Sequence, residues 1–118
     1  MAAANTLKDH FGATPSELVV AIGPSIGPCC YEVGDDVLSA FGPAGRKWFY
    51  RLNGRWMLNL WQANRDQLIH AGVKPENVHI AELCTMMHPD LFESFRRDGP
   101  TNTGRMAAVI RPLSVISA

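Results

Sequence analysis

The sequence predicts an α+β domain in which a mixed β-sheet is flanked by helices. Three observations support this fold class: short apolar runs end at Gly or Pro, longer segments repeat apolar residues at helical spacing, and Asn53-Gly54 separates two apolar runs as in a β-hairpin. Strands and helices interspersed in this way indicate packed layers of sheet and helix. With 118 residues, of which 47% are hydrophobic, the chain is long enough for one domain with its own core.

The first third of the chain predicts two helices separated by a strand and a loop. Residues 2–11 predict a helix, because Gly12 follows as a typical C-terminal glycine. No capping residue precedes Ala2, so we expect this helix to begin upstream. The next elements are a buried strand over 18–22, a short extended segment over 31–33 and a helix over 35–41 with acidic residues in its first turn.

The remainder predicts a hairpin, a long helix and further strands. The hairpin strands, 48–52 and 55–58, flank Asn53-Gly54. A helix is predicted over 60–71, with Asn59 as its N-cap and Gly72 just after its C-terminal end. The later predictions are a strand over 78–83, a helical turn over 89–92, an extended segment over 94–97, a loop over 98–104 and a strand over 106–110 that Pro112 ends.

Charge and cysteine usage narrow the class of protein. Eleven basic and eleven acidic residues cancel, which argues against a nucleic-acid or membrane-surface partner. No apolar stretch approaches the roughly 20 residues of a membrane span, and the N-terminus lacks the features of a signal peptide. Three cysteines, two of them adjacent, do not suggest a disulfide framework, so we expect a reducing cytoplasmic setting.

The most constrained stretch lies between the first strand and the second helix. Two Gly-Pro pairs, Gly23-Pro24 and Gly27-Pro28, restrict the backbone on either side of Ser25 and Ile26. A loop held in one shape suits the wall of a binding site on a rigid scaffold. The alternative is a tight structural crossover that buries two small cysteines, and the residues alone leave both interpretations open.

The cysteines and histidines do not form a recognisable catalytic or metal motif. Nucleophilic catalysis needs a base near the thiol, and His10, His70 and His79 have no suitable spacing. Cys84 and His88 are four residues apart and would share a helix face, but Cys84 follows a predicted strand. No C-x-x-C pair is present. We therefore predict no metal ligands in this chain and a buried free thiol at each of Cys29, Cys30 and Cys84.

Three arginines flank a Gly/Thr-rich loop near the C-terminus: Arg96, Arg97 and Arg105. Guanidinium groups recognise phosphate and carboxylate through paired hydrogen bonds. The alternative is a solvated or structurally paired basic cluster. The sequence contains neither a Walker loop nor a dinucleotide-binding glycine motif, and it has no serine-centred elbow.

Several motifs, taken in order, resemble the YfiH-like laccase-domain family over residues 5–111. They are Ile22-Gly23-Pro24-Ser25-Ile26-Gly27, Cys29-Cys30-Tyr31-Glu32-Val33, Leu58-Asn59-Leu60, Gln67-Leu68, Gly72-Val73, Cys84-Thr85, Phe92-Glu93-Ser94-Phe95-Arg96-Arg97 and Thr103-Gly104-Arg105. The family often has aromatic residues at the positions of Glu93 and Phe95 (tyrosine at the latter), so these two depart from its pattern. The resemblance implies that residues 1–118 are a single domain corresponding to the C-terminal half of the larger laccase-domain fold.

The resemblance implies a zinc-dependent purine nucleoside phosphorylase in the intact protein. The substrates would be a purine nucleoside (inosine, adenosine or guanosine) and phosphate, with adenosine deamination and methylthioadenosine phosphorolysis as side activities. The family's metal ligands, two histidines and a cysteine, lie in the preceding half. We therefore expect zinc or copper only in the intact protein, none bound by this chain, and no activity from this chain alone.

The implied site residues fall into two groups. The loop would form a pocket wall, and the arginines would bind phosphate or ribose or brace that wall. Two alternatives stay open: a catalytically silent folding or oligomerisation module whose exposed apolar seam joins copies of the chain, and a copper-dependent polyphenol oxidase, against which the lack of His-x-His pairs argues. The predicted set is Gly23, Pro24, Ser25, Cys29, Cys30, Glu32, Arg96, Arg97 and Arg105.

Overall fold

The computed structural model describes residues 2–111 and residue 113. The helices among these residues are α1 (Ala2–Phe11), α2 (Asp35–Phe41), α3 (Leu60–His70) and α4 (Phe95–Asp98). The strands are β1 (Val20–Ile22), β2 (Glu32–Val33), β3 (Phe49–Leu52), β4 (Arg55–Leu58) and β5 (Val78–Ile80). Three 3₁₀ segments, each beginning at a proline, connect them: Pro15–Glu17, Pro43–Trp48 and Pro75–Asn77.

The three predicted helices are confirmed, and local chemistry explains their ends. After α1, Gly12 takes a φ of 69°, the left-handed conformation that favours glycine. The Asn59 side chain caps α3 by accepting a hydrogen bond from the Gln62 amide at 3.0 Å. The same helix is followed by Gly72, whose φ is 108°. None of the helices among the described residues is both long and apolar enough to cross a bilayer.

The α+β class is confirmed, with the strands divided between two sheets. β1 pairs with β5 in parallel, in a register that places Val20 opposite Val78. The order of the antiparallel sheet is β2-β4-β3, with Asn53 and Gly54 both at positive φ in the predicted hairpin turn. A tight hairpin must pair antiparallel, whereas a connection through a helix allows parallel pairing. The sequence predicted one mixed sheet. The hairpin strands instead form an antiparallel sheet with β2, and β1 and β5, which are joined through α3, form a separate parallel pair.

Each sheet has its own small core. Val33, Phe49 and Leu58 form the buried centre of the antiparallel sheet, covered by partly buried aromatic and aliphatic side chains. On the parallel sheet, Val73 and Val78 pack with a third buried residue, Leu68 of α3. Leu58 and Val73 are the two largest fully buried side chains among the described residues. Apolar burial of this kind holds α3 between the two sheets.

The region after β5 departs most from the predictions. The predicted turn over 89–92 is confirmed, because the His88 carbonyl accepts hydrogen bonds from the amides of Leu91 and Phe92. The extended segment predicted over 94–97 is wrong: these residues belong to α4 and to its N-cap, Ser94. The strand predicted over 106–110 is also wrong, because its apolar run pairs with no sheet edge among the described residues. Pro112 lies outside the described residues.

Candidate functional site

The Gly-Pro loop runs beside the segment that follows β5. The Ser25 amide donates to the Leu83 carbonyl at 3.2 Å, and the Thr85 amide donates to the Ser25 carbonyl at 3.1 Å. These bonds form an isolated parallel bridge between Ser25 and Cys84. Relative to the β1–β5 register, this bridge is shifted by one residue, and Glu82 just before it has a φ of 55°. The left-handed residue accommodates the extra residue as in a β-bulge.

Gly27 lies at the tightest point of this loop. A Cβ atom there would be 2.8 Å from Cη2 of Trp61 and 3.2 Å from the Cβ of Cys84. Trp61 is itself fixed, since its indole Nε1 donates to the Ser25 hydroxyl at 2.8 Å. Close approach of α3 to the loop therefore requires glycine at this position.

The loop brings all three cysteines together. The sulfur atoms of Cys29, Cys30 and Cys84 lie within 4.8 Å of one another, and the Cys29 thiol donates to the Cys30 sulfur at 3.4 Å. All three thiols are free, but only Cys84 is buried; Cys30 is half-buried and Cys29 is exposed. The prediction of a buried thiol is therefore wrong for Cys29 and Cys30. A loop that must face the sheet on one side leaves its other side open to solvent.

The environment shifts the pKa values of two of these thiols, Cys30 and Cys84, in opposite directions. Burial, followed by the proximity of Cys29 and Cys84, raises the pKa of the Cys30 thiol to about 12. Burial would also raise the pKa of Cys84, but the backbone N–H groups of Gly27, Met87 and Met86 outweigh it and lower that pKa. The Gly27 amide donates to the Cys84 sulfur at 3.2 Å. Cys84 is thus the more acidic thiol of the two.

An open cavity of about 450 Å³ lies beside the cysteines. Cys29, Cys30 and Glu32, three of the predicted site residues, line one side of it. The sequence did not predict the opposite side, which comes mainly from the hairpin, because no local pattern shows what a turn faces. The added lining residues are Leu52, Asn53, Arg55, Met57 and Met86. Arg55 Nη1 lies 3.4 Å from a Glu32 carboxylate oxygen, which places both charges at the cavity.

The Arg97 guanidinium is fully engaged within the chain. Nη1 donates to the carbonyls of Thr85 and Met86, at 2.8 and 3.4 Å, and Nη2 donates to the Phe92 carbonyl at 2.8 Å. Nε and Nη2 also donate to the Asp98 carboxylate. These contacts use all five N–H groups of an arginine. Arg97 therefore ties the segment after Cys84 to α4.

The other two predicted arginines are exposed. Arg96 lies over the Tyr31 ring, 4.9 Å from its centroid, and its Nη1 donates to the Glu32 carbonyl at 3.1 Å. Arg96 thus packs on the strand that carries the cavity residue Glu32. Among the described residues, Arg105 donates only to the neighbouring Gly104 carbonyl, at 3.4 Å, and it does not line the cysteine cavity. The sequence places these arginines close together, but their contacts differ.

The remaining predicted residues, Gly23, Pro24 and Ser25, form the start of the loop. Gly23 and Pro24 are exposed, and the Ser25 hydroxyl donates to the Gly23 carbonyl at 3.2 Å. None of the three lines the cysteine cavity. Their position indicates that they hold the loop in place.

The donor set does not match the zinc site that the resemblance implies. Among the described residues, the cysteine trio is the one group of three or more His, Cys, Asp or Glu side chains close enough to share an ion. No histidine belongs to it, and His88 instead packs edge-on against Phe92, with ring centroids 6.3 Å apart. Two histidines and a cysteine are not assembled within residues 2–111. The described residues of this chain therefore do not form the zinc site that the resemblance implies.

Known proteins resemble this chain over most of its length. The chain is 45% identical over 101 residues to purine nucleoside phosphorylase YlmD of Geobacillus stearothermophilus. It is 33% identical over 103 residues to purine nucleoside phosphorylase YfiH of Escherichia coli. The crystal structure of the hypothetical protein YfiH of Bacillus licheniformis superposes with a TM-score of 0.77 at 33% identity.

These matches cover unequal shares of the proteins compared. The YlmD match takes in 81% of this chain but 36% of the relative, and the YfiH match of Escherichia coli takes in 85% and 41%. The structural match covers 86% of this chain and 40% of the Bacillus licheniformis protein. The chain thus spans about two fifths of the length of these relatives. The family model described as multi-copper polyphenol oxidoreductase laccase matches residues 1–112, so the chain belongs to that family.

Proposed function

We propose that this chain forms part of a purine nucleoside phosphorylase, which cleaves a purine nucleoside with phosphate to give the free base and ribose 1-phosphate. The observation that carries the proposal is the 45% identity to a relative named as a purine nucleoside phosphorylase. Three free cysteines in the described residues support a reducing cytoplasmic setting.

The proposed substrate pocket is the cavity beside Cys29 and Cys30, called here the cysteine cavity, and its lining residues form the pocket wall. Glu32 and Asn53 offer hydrogen-bond partners for a ribose or base, while Met57 and Leu52 offer apolar contact. Arg55 lines this cavity, and Arg96 packs on the strand that carries Glu32. Their guanidinium groups suit the negative charge of phosphate. We assign Gly23, Pro24 and Ser25 the role of holding the loop.

Arg97 and Arg105 receive different roles in this proposal. All five Arg97 donors are used within the chain, so Arg97 positions the wall and does not touch substrate. Arg105 is exposed with a single weak contact, so its guanidinium is available to phosphate or ribose.

The test is a chimera in which this chain replaces the matching part of Geobacillus stearothermophilus YlmD. We expect it to release hypoxanthine from inosine only when phosphate is present. Arg96→Gln should raise the KM for phosphate roughly 10-fold, the size of one lost charged hydrogen bond. Arg65→Gln on α3 is the matched control and should leave that KM unchanged. A folded chimera without phosphate-dependent release contradicts the function; an unchanged KM in Arg96→Gln contradicts only the residue assignment.

Copper-dependent oxidation of phenols is the second candidate, because the family description names polyphenol oxidoreductases. The same chimera distinguishes the two. Oxygen consumption with a phenol and added copper, without phosphorolysis of inosine, would favour oxidation.

We also propose that copies of the chain associate through an apolar groove between α1 and β1. Leu7, Leu18 and Ile110 line this groove, and Leu7 and Ile110 are 41% and 88% exposed. Apolar surface of this kind is typical of a protein–protein contact.

A further inference from the structure

We propose that Cys29, Cys30 and Cys84 form a three-thiolate site for a thiophilic cation of the Zn²⁺/Cu⁺ class, open to solvent on the Cys29 side. This site differs in ligands and in position along the chain from the two-histidine, one-cysteine set that the family resemblance implies. It does not depend on the proposed phosphorylase activity.

The sulfur positions fit a single ion. Zinc–sulfur bonds are about 2.3 Å long, so three thiolates around one tetrahedral ion lie roughly 3.8 Å apart. The three sulfur atoms already lie within 4.8 Å of one another, with Cys29 and Cys30 at 3.4 Å. Side-chain rotations that move each sulfur by less than about 1 Å would complete the geometry.

The backbone holds the ligands from two directions. Cys29 and Cys30 lie on the Gly-Pro loop, where the Cys30 amide donates to the Gly27 carbonyl and the Tyr50 hydroxyl donates to the Pro28 carbonyl. Cys84 is fixed by the bridge to Ser25. A site that is largely formed before the ion arrives loses little conformational entropy on binding.

The surroundings favour a soft cation. The Gly27 N–H bond to the Cys84 sulfur stabilises a thiolate there, as outer hydrogen bonds commonly do at metal sites. The thioethers of Met57 and Met86 line the same cavity. Thiolate and thioether donors prefer Zn²⁺ and Cu⁺ to Mg²⁺ or Ca²⁺.

Binding of the ion releases protons from the thiols. Each thiol that ligates gives up its proton to solvent, and the sulfur lone pair forms the bond to the metal without a change of oxidation state. Affinity should therefore rise with pH.

Cobalt(II) is the probe, because its thiolate complexes absorb strongly in the near ultraviolet. The purified protein is reduced with a phosphine, freed of metal and titrated with Co²⁺, then with Zn²⁺ in competition. A separate titration delivers Cu⁺ from a chelator of known affinity. We expect one equivalent of Co²⁺, a thiolate charge-transfer band and displacement by Zn²⁺ or Cu⁺ but not by Mg²⁺.

Variants identify the ligands. Cys29→Ser removes an exposed ligand without disturbing the core and should weaken binding roughly 100-fold, as should Cys84→Ser. His88→Ala is the matched control, because His88 is four residues from Cys84 but outside the cysteine group, and should bind as the parent does. The absence of a thiolate band in the reduced protein overturns the proposal. The proposal is also overturned if the Cys29→Ser variant and the Cys84→Ser variant both bind Co²⁺ as tightly as the parent does. Loss of binding in His88→Ala would overturn it as well.

Discussion

Gly27 shows how one missing side chain sets the position of the loop. Its hydrogen occupies a space bounded by the Trp61 ring and the Cys84 Cβ atom. Both neighbours are held by hydrogen bonds to the same loop, at Ser25 and at Gly27 itself. Neither can move without breaking a polar contact, so the space cannot widen at low cost.

Gly27→Ala should therefore lower the free energy of unfolding by about 1–3 kcal/mol, the usual cost of overpacking. Urea unfolding followed by circular dichroism measures the change. Gly23→Ala is the control, because nothing lies within 4 Å of the Cβ that it would add. Equal losses in both variants would mean that the loop backbone, and not the Trp61 contact, requires glycine.

Asp66 links α3 to the segment before the hairpin. Trp48 Nε1 donates to one carboxylate oxygen at 2.7 Å, and Gln62 Nε2 donates to the other at 2.7 Å. The Trp48 hydrogen bond, with help from Gln62 and against the effect of burial, lowers the pKa of Asp66 from its ordinary 3.8. The contribution to stability is thus complete above the unfolded pKa and lost as the pH falls through the lower folded-state pKa.

Asp66→Asn should lower the free energy of unfolding by about 1.5 kcal/mol at neutral pH, the lower end of the range for a hydrogen bond to a charged group. The difference from the parent should shrink as the pH falls below 3.8. Denaturant unfolding between neutral pH and acid checks both statements. Asp9→Asn, at an exposed position of α1, is the control and should leave the free energy of unfolding unchanged at neutral pH. A difference that is independent of pH would contradict a role for the Asp66 charge.

At the scale of elements, local signals predicted the pieces whose ends are set by local chemistry. Asn53-Gly54 predicted the hairpin because both positions need positive φ. Asn59 predicted the start of α3 through its side-chain cap. The helix α4 carries the same kind of signal, Ser94 as N-cap and Gly99 at a φ of 77°, but its four residues are too few to show apolar residues at helical spacing.

The cysteine cluster could not be predicted from the sequence because it depends on register. A one-residue shift in strand pairing turns each side chain to the opposite face. The bridge at Cys84 is shifted in this way relative to β1–β5, with Glu82 in the left-handed conformation beside the shift. The spacing of residues along the sequence does not predict that one-residue shift. The hairpin side of the cavity was missed for a different reason, because no local pattern shows what a turn faces.

Glu82→Gly should raise the free energy of unfolding by about 1 kcal/mol, because glycine removes the cost of a side chain at positive φ. Thermal and urea unfolding measure it. The same change at exposed Glu76, which has no positive φ, should give no gain. A loss of stability in Glu82→Gly would show that the Glu82 side chain contributes more than its backbone strain costs.

At the scale of the molecule, the chain is less compact than a typical domain of its length. Its radius of gyration is 16.7 Å and its extents are 57 × 36 × 23 Å. A compact domain of this length would have a radius of about 13.5 Å. Because the chain is less compact, large apolar side chains remain exposed to solvent, including Phe11 at 76% and Val109 at 92% exposure. The proposed self-association would cover part of that surface.

Sedimentation velocity should show an average mass that increases with protein concentration. Leu7→Glu places a charge in the groove between α1 and β1 and should shift the equilibrium toward monomer. Leu91→Glu, at a site 65% exposed but outside the groove, is the control and should leave the equilibrium unchanged. A mass that stays at the monomer value at all concentrations contradicts self-association.

The contact between Trp61 and the loop also gives the protein a built-in optical reporter. The indole donates to Ser25 and touches Gly27, so its emission depends on the position of the backbone that carries Cys29 and Cys30. The other two tryptophans, Trp48 and Trp56, lie at the antiparallel sheet, and their signal remains in a Trp61→Phe variant. The difference between the two emission spectra therefore isolates the loop. Movements of this region can be followed in real time without attaching a label.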